Sequence, residues 1–308
     1  ISACLVGSEM CIRDRGTRLP ELPEVEHVKR GIEPFVVNQT IEDVVFSDKV
    51  ITGKKENRDT IIKQMDLSMF KNRTKGYKIT RVERRSKYIL LYLENDSDRR
   101  VIVSHLGMTG GYFVVNHLDE IIVPNYKKHW HVNFKLSSGK QLIFSDIRRF
   151  GEIRNVDDIT AYASYKDMAP EPFDENAFAH YQQQLKLGKY KNKPIKQVIL
   201  DHKVIAGCGN IYACEALFNA RIHPKRTVQS LSQKEQQRVF EAVVDVLALG
   251  IEQGGTSISD YRHADGKTGH MQDYLNVYKK KVCPVCNGPI ETEVIAGRNS
   301  HFCPNCQK

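Results

Sequence analysis

Val25, Val28 and Ile32 recur at three- and four-residue intervals, the spacing of one face of a helix. Pro23 suits a first helical position, so a helix is predicted to open near Leu22. Beyond it the period shortens. Tyr88-Ile89-Leu90-Leu91-Tyr92-Leu93 and Val101-Ile102-Val103 are short runs of strand formers. Val132, Phe134 and Leu136 alternate with polar neighbours, and Ser137-Ser138-Gly139-Lys140 turns into Gln141-Leu142-Ile143-Phe144, a hairpin signal. One helix followed by strands predicts an antiparallel β domain over 20–155. Ala169-Pro170-Glu171-Pro172 marks a stiff linker within 156–173.

After the linker the helical period returns. Ile195–Leu200 reads as a short helix, Gly207-Cys208-Gly209-Asn210 as a turn, and Ile211–Asn219 as a second helix. Ser232-Gln233-Lys234-Glu235 is a capping box, with Leu231 placed as a staple. The helix it opens runs through Val239, Val243, Val246 and Leu249 until Gly254-Gly255 stops it. Residues 256–271 are polar, contain Gly266 and Gly269, and read as a mobile loop. A helical domain is expected over 174–275, giving an α+β chain.

Charge adds a partner class. Lys plus Arg total 46 against 37 Asp plus Glu in 308 residues, and that surplus predicts affinity for a polyanion. No apolar run reaches the ~18 residues a membrane span requires, so a cytoplasmic protein is expected. Cysteine adds a metal. Cys283-x2-Cys286 is followed after 16 residues by Cys303-x2-Cys306, with Pro284, Gly288 and Pro304 providing turns. This spacing predicts one tetrahedral Cys4 zinc. Four protein ligands leave no open coordination position, so the ion is structural and 276–308 forms a zinc finger. Arg298 falls near the tip of its hairpin, in reach of a phosphate. Cys208 and Cys214 read as buried thiols.

Leu19-Pro20-Glu21-Leu22-Pro23-Glu24-Val25-Glu26 carries two readings. One is an acidic helix start that suits the helix dipole. The other makes Pro20 a secondary-amine nucleophile and Glu21 its acid/base partner, which requires Pro20 to be the first residue. Here 19 residues precede it. They do not read as a domain or a secretory signal, being broken by Glu9, Arg13, Asp14 and Arg15. We read 1–19 as a non-native or upstream extension, with Leu19 in place of a start methionine.

Taken together, Pro20–Glu26, Arg84-Arg-Ser-Lys-Tyr88, His105-Leu-Gly-Met-Thr-Gly110, Asp146-Ile-Arg-Arg-Phe-Gly151, Ala206-Gly-Cys-Gly-Asn-Ile-Tyr212, Glu215-Ala-Leu-Phe218, Ile222-His-Pro224 and the Cys4 finger resemble the formamidopyrimidine-DNA glycosylase family. The likeness runs from Pro20 to Lys308. It implies an N-terminal β-sandwich, a helix–two-turns–helix domain and a zinc finger. It implies a monomeric base-excision repair enzyme that removes oxidised purines from double-stranded DNA and then cleaves the strand.

The same resemblance assigns residues. Pro20 would attack C1′, Glu21 would act as general acid toward the sugar, Glu24 would support the site, and Lys87 would bind phosphate beside the lesion. Asn210 and Arg298 match phosphate-binding positions, and Lys196 matches a position near the flipped base. Met108, Arg148 and Phe150 match the side chains that fill the gap left by extrusion. The chain departs from the pattern at Ile147, where proline is common, and at Ala169 and Arg221, where glycine is usual. Gly269-His270-Met271 replaces glycine followed by two aromatics. An endonuclease VIII-like enzyme for oxidised pyrimidines, a binding-only protein with a blocked Pro20, and a zinc-ribbon transcription factor are the competing readings.

Overall fold

The structure is a computed structural model described over residues 19–256 and 269–308. Residues 1–18 of the expected extension and most of the expected 256–271 loop lie outside the described residues. No helix among the described residues is long and apolar enough to cross a membrane.

The opening helix, Leu22–Val36, has proline in its first turn and a capping interaction in which the Glu21 amide donates to Glu24 Oε2 at 3.0 Å. The strands that follow are β1 (Ile41–Phe46), β2 (Ile61–Ile62), β3 (Lys78–Arg85), β4 (Tyr88–Glu94), β5 (Arg99–His105), β6 (Gly110–Val115), β7 (Trp130–Leu136), β8 (Gln141–Asp146) and β9 (Glu152–Val156). They form a four-stranded sheet, β1-β7-β8-β6, and a five-stranded sheet, β2-β9-β5-β4-β3. Every pairing is antiparallel except the short one between β2 and β9. Inward side chains of both sheets share one core with the helix face Val25, Val28, Ile32 and Val36. The α+β class and the sandwich expected from the sequence are therefore present.

The expected linker is more ordered than its prolines implied. A 3-10 turn at Ile159–Ala161 and a short helix at Ala163–Asp167 occupy its first half. In its second half Glu171 pairs with Arg84 and Arg85 and accepts from the Ser86 amide at 3.0 Å. Two arginines and a backbone amide converging on one carboxylate fix the segment to the β3–β4 turn.

The helical half contains Ile195–Ile199, Asn210–Asn219 and the long helix Gln233–Glu252, opened by the Ser232–Glu235 capping box. Gly254 and Gly255, at φ +78° and +73°, end it. Arg221, the expected glycine position, has φ +59°, the left-handed region that glycine adopts without steric cost. Its guanidinium lies 4.6 Å from the Phe218 ring centroid. The chain closes with β10 (Glu291–Ile295) and β11 (Arg298–Phe302), an antiparallel hairpin turned by Ala296-Gly297.

The opening helix serves two cores. Val25 onward packs in the sandwich, whereas Leu22 packs in the helical half among residues such as Ile205, Ile211 and Val243. The Leu22 amide donates to Gly207 O at 3.2 Å, and a Cβ on Gly207 would lie 2.4 Å from Leu22 Cδ1. Leu22→Ala should therefore cost about 2–5 kcal/mol of stability, read from urea unfolding. A loss below ~1 kcal/mol would show that this anchor is not needed.

Candidate active site and nucleic-acid interface

Pro20 and Glu21 lie just before the opening helix, and both are buried. The Glu21 carboxylate reaches across to the start of the Asn210–Asn219 helix. Its Oε2 accepts from the Gly209 amide at 2.8 Å and the Tyr212 amide at 3.3 Å, and Oε1 accepts from the Ile211 amide at 2.8 Å. A helix N-terminus offers such unsatisfied amides to an anion. The approach requires glycine: a Cβ on Gly209 would lie 2.4 Å from Glu21 Cδ.

Burial pushes the Glu21 carboxyl up to about 7. The Lys87 ammonium opposes that rise, the Glu24 carboxylate adds to it, and the amides oppose it. A carboxyl balanced near neutrality is suited to general acid work. Lys87 lies in the two-residue turn between β3 and β4, beside Ser86 at φ +54°. Glu24 is buried behind Glu21, where Oε1 accepts from the Tyr212 hydroxyl at 2.9 Å and from the Thr256 amide and hydroxyl at 2.8 Å each. Tyr212 and Thr256 received no role from the sequence. Their signal was present for Tyr212, in a Gly-x-Gly run opening a helix; nothing local marks Thr256.

A second cluster lies at the other side of that helix start. Asn210 Nδ2 donates to Asn299 O at 2.9 Å, which brings the helix end against the β10–β11 hairpin beside Arg298. Lys196 has no exposed surface, and its ammonium donates to Asn210 Oδ1 at 2.5 Å and to Ser300 Oγ. Burial pulls its pKa down, opposed by nearby Cys214 and Glu21. Through these contacts Lys196 joins helix to hairpin.

Met108 and the Arg148/Phe150 pair come from two different loops, β5–β6 and β8–β9, that touch backbone to backbone: a Cβ on Gly107 would lie 2.6 Å from Phe150 C. Phe150 is half exposed, and the Arg148 guanidinium lies 5.2 Å from its ring centroid. The three expected gap-filling residues are thus neighbours on one edge of the sandwich.

Cys283, Cys286, Cys303 and Cys306 place all four sulfurs within 4.8 Å of one another. Sγ of Cys283 and Cys306 are 3.8 Å apart, and those of Cys286 and Cys303 are 3.5 Å apart. Zinc–sulfur bonds of about 2.3 Å in a tetrahedron separate sulfurs by about 3.8 Å, so the donor set fits one structural zinc.

Three family models match in order. The formamidopyrimidine-DNA glycosylase N-terminal domain matches residues 19–153, the H2TH domain of the same enzymes 168–262, and the zinc finger found in FPG and IleRS 280–308. The formamidopyrimidine-DNA glycosylase of Bacillus cereus is 39% identical over 293 residues, covering 94% of this chain and 99% of that protein. Its Streptococcus pyogenes counterpart is 37% identical over 294 residues, with the same coverages. The solved MutM (Fpg) protein of Thermus thermophilus superposes with a TM-score of 0.77 at 36% identity, covering 94% of this chain and 98% of that one. The Lactococcus lactis Fpg in complex with DNA containing an abasic site gives 0.78 at 30% identity, covering 94% and 100%. A sandwich, a helix–two-turns–helix domain and a Cys4 finger converging on a buried acid define a DNA glycosylase of base-excision repair. The chain belongs to the formamidopyrimidine-DNA glycosylase family.

Two outcomes follow from the site. In the 308-residue chain the folded state holds the Glu21 proton up to about pH 7, whereas the unfolded chain releases it near 4.5. Its contribution to stability is full below the lower value and declines as pH rises to the upper one, by on the order of 3 kcal/mol. Glu21→Gln removes this decline, so the wild-type minus variant difference in unfolding free energy should slope over that window and be flat above it. Parallel curves for the two proteins would refute the assignment. Chelation should release one zinc per chain and abolish duplex binding while the sandwich keeps its circular dichroism. Zinc-free protein that binds duplex DNA normally would overturn the structural role of the ion.

Proposed function

We propose that this protein excises oxidised purines, such as 8-oxoguanine and formamidopyrimidines, from duplex DNA and cleaves the strand at the resulting site. We propose a cytoplasmic enzyme acting as a monomer, with residues 20–155 catalytic, 156–173 linking, 174–275 and 276–308 gripping DNA. The observation that carries this reading is the Glu21 carboxyl, adjacent to Pro20, buried on the amides of Gly209 and Ile211 and balanced near neutrality.

The Pro20 nitrogen, as a free secondary amine, attacks C1′. The bond from C1′ to the base breaks, and its electron pair leaves with the base, which takes up a proton. Glu21 protonates the sugar ring oxygen as the ring opens, leaving an iminium between C1′ and Pro20. That cation acidifies the C2′ proton; its loss expels the 3′ phosphate by β-elimination, and a second proton loss expels the 5′ phosphate by δ-elimination. Lys87, Asn210 and Arg298 hold the flanking phosphates. Lys196 holds Asn210 in place. Met108, Arg148 and Phe150 occupy the vacated stack, which offsets part of the cost of extrusion.

The chemistry demands an amine. In the sequence Pro20 is joined to Leu19, and an amide nitrogen shares its lone pair with the carbonyl. The match to the family's N-terminal domain begins at residue 19, one residue before Pro20, which supports a working chain that starts at Pro20. A chain starting there should cut duplex containing 8-oxoguanine opposite cytosine and give a covalent DNA adduct with borohydride. The 308-residue chain should bind the same duplex without adduct. An equal trapping rate for the intact chain, its mass confirmed, would disprove the role of Pro20. Preference for oxidised pyrimidines over purines by the trimmed chain would establish the endonuclease VIII-like reading instead.

A further inference from the structure

Two loops must present three side chains as one surface, although 37 residues lie between Met108 and Asp146. Asp146 ends β8 and is fully buried. Its Oδ1 accepts from the Thr109 hydroxyl at 2.6 Å and from the Arg148 amide at 3.2 Å, and its Oδ2 accepts from the Gly151 amide at 2.7 Å. The Thr109 oxygen in turn accepts from the Arg148 amide at 2.9 Å. One carboxylate thus binds both ends of the Arg148–Phe150 loop and the residue next to Met108. Burial pushes its pKa up, and the hydrogen bonds from Thr109 and the loop amides pull it back.

The main chain of Asp146 is held as well. Its amide donates to His129 O at 2.9 Å. Its carbonyl lies 2.9 Å from His131 Nε2, while His131 Nδ1 lies 3.0 Å from Ser47 Oγ. Burial lowers the His131 pKa to about 4, so the ring is neutral at ordinary pH. The carbonyl can only accept, so Nε2 carries the hydrogen and Nδ1 accepts from Ser47. The surroundings leave little room for another arrangement: a Cβ on Gly151 would lie 2.8 Å from Asp146 Oδ2.

We propose that Asp146 and Thr109 are positioning residues that make Met108, Arg148 and Phe150 a single preorganised wedge, and that this pair sets discrimination of the base opposite the lesion. The inference rests on the gap-filling reading of those three side chains. Asp146 and Thr109 themselves touch no base; they fix the backbone from which the wedge projects. Without them each loop would have to be ordered at the moment of insertion, and contact with the orphaned base would be lost from register.

The test needs binding alone, so the 308-residue chain serves. The probe is a duplex with a tetrahydrofuran abasic analogue opposite each of the four bases in turn, titrated beside the same analogue in single-stranded DNA. Asp146→Asn keeps the shape but, whichever way its amide sits, turns an NH2 toward either the Gly151 or the Arg148 amide, and Thr109→Val removes the hydroxyl. Both should lower discrimination among opposite bases about tenfold. Thr109→Ser should restore it, and single-stranded binding should be unchanged. Equal losses on single and double strands would show general structural damage and overturn the proposal. So would unchanged discrimination in both variants when Arg148→Ala abolishes it. If wild-type protein shows no discrimination, or Arg148→Ala leaves it intact, the gap-filling reading itself fails.

Discussion

One carboxylate seated on the backbone of another half of the chain organises this molecule. Glu21 belongs to the strand-rich half by sequence, yet its oxygens lie on the amides of Gly209, Ile211 and Tyr212. The helix those amides begin supplies partial positive charge to an acid that burial would otherwise protonate more fully. The same helix start carries Asn210, which ties it to the zinc hairpin through Asn299. Acid, asparagine and finger are therefore referred to one backbone origin. Their mutual placement rests on main-chain geometry, which side-chain substitution alters least.

The electrostatics around this origin are mixed in sign. Lys87 and the helix amides favour ionised Glu21, whereas burial and Glu24 favour its protonated form. Behind it Lys196 is a buried cation satisfied by Asn210 and Ser300. Removing one member of such a set leaves another buried and unpaired, so the cluster is expensive to simplify. Glu171 does similar work outside, holding Arg84, Arg85 and the Ser86 amide at the base of the turn that carries Lys87.

Periodicity and spacing exposed much of this. The helix face from Val25 to Ile32, the Ser137–Lys140 turn, the capping box at Ser232 and the Cys4 array each announce themselves within a few residues of sequence. Long-range satisfaction did not. Thr256 and Tyr212 meet Glu24 over a separation no local pattern encodes. Lys87 stands in the turn between two strands, where Ser86 takes a positive φ that no residue type there announces. The Ala169–Pro172 segment looked like a spacer because its one informative residue, Glu171, finds its partners in β3. The glycine replaced by Arg221 was visible as a departure; why glycine suits that position became clear only from its backbone angle.

The division of the opening helix between two cores bears on how such a chain can diversify. Leu22 is committed to the helical half and Val25 to the sandwich, three residues apart on a single rigid rod. Neither half can be exchanged for an unrelated domain without stranding the other's hydrophobic contact and the acid between them. Shuffling of intact modules is thus closed to this architecture at its centre. Variation is channelled to the loops and the rim, where lesion preference can drift while the seam stays constant.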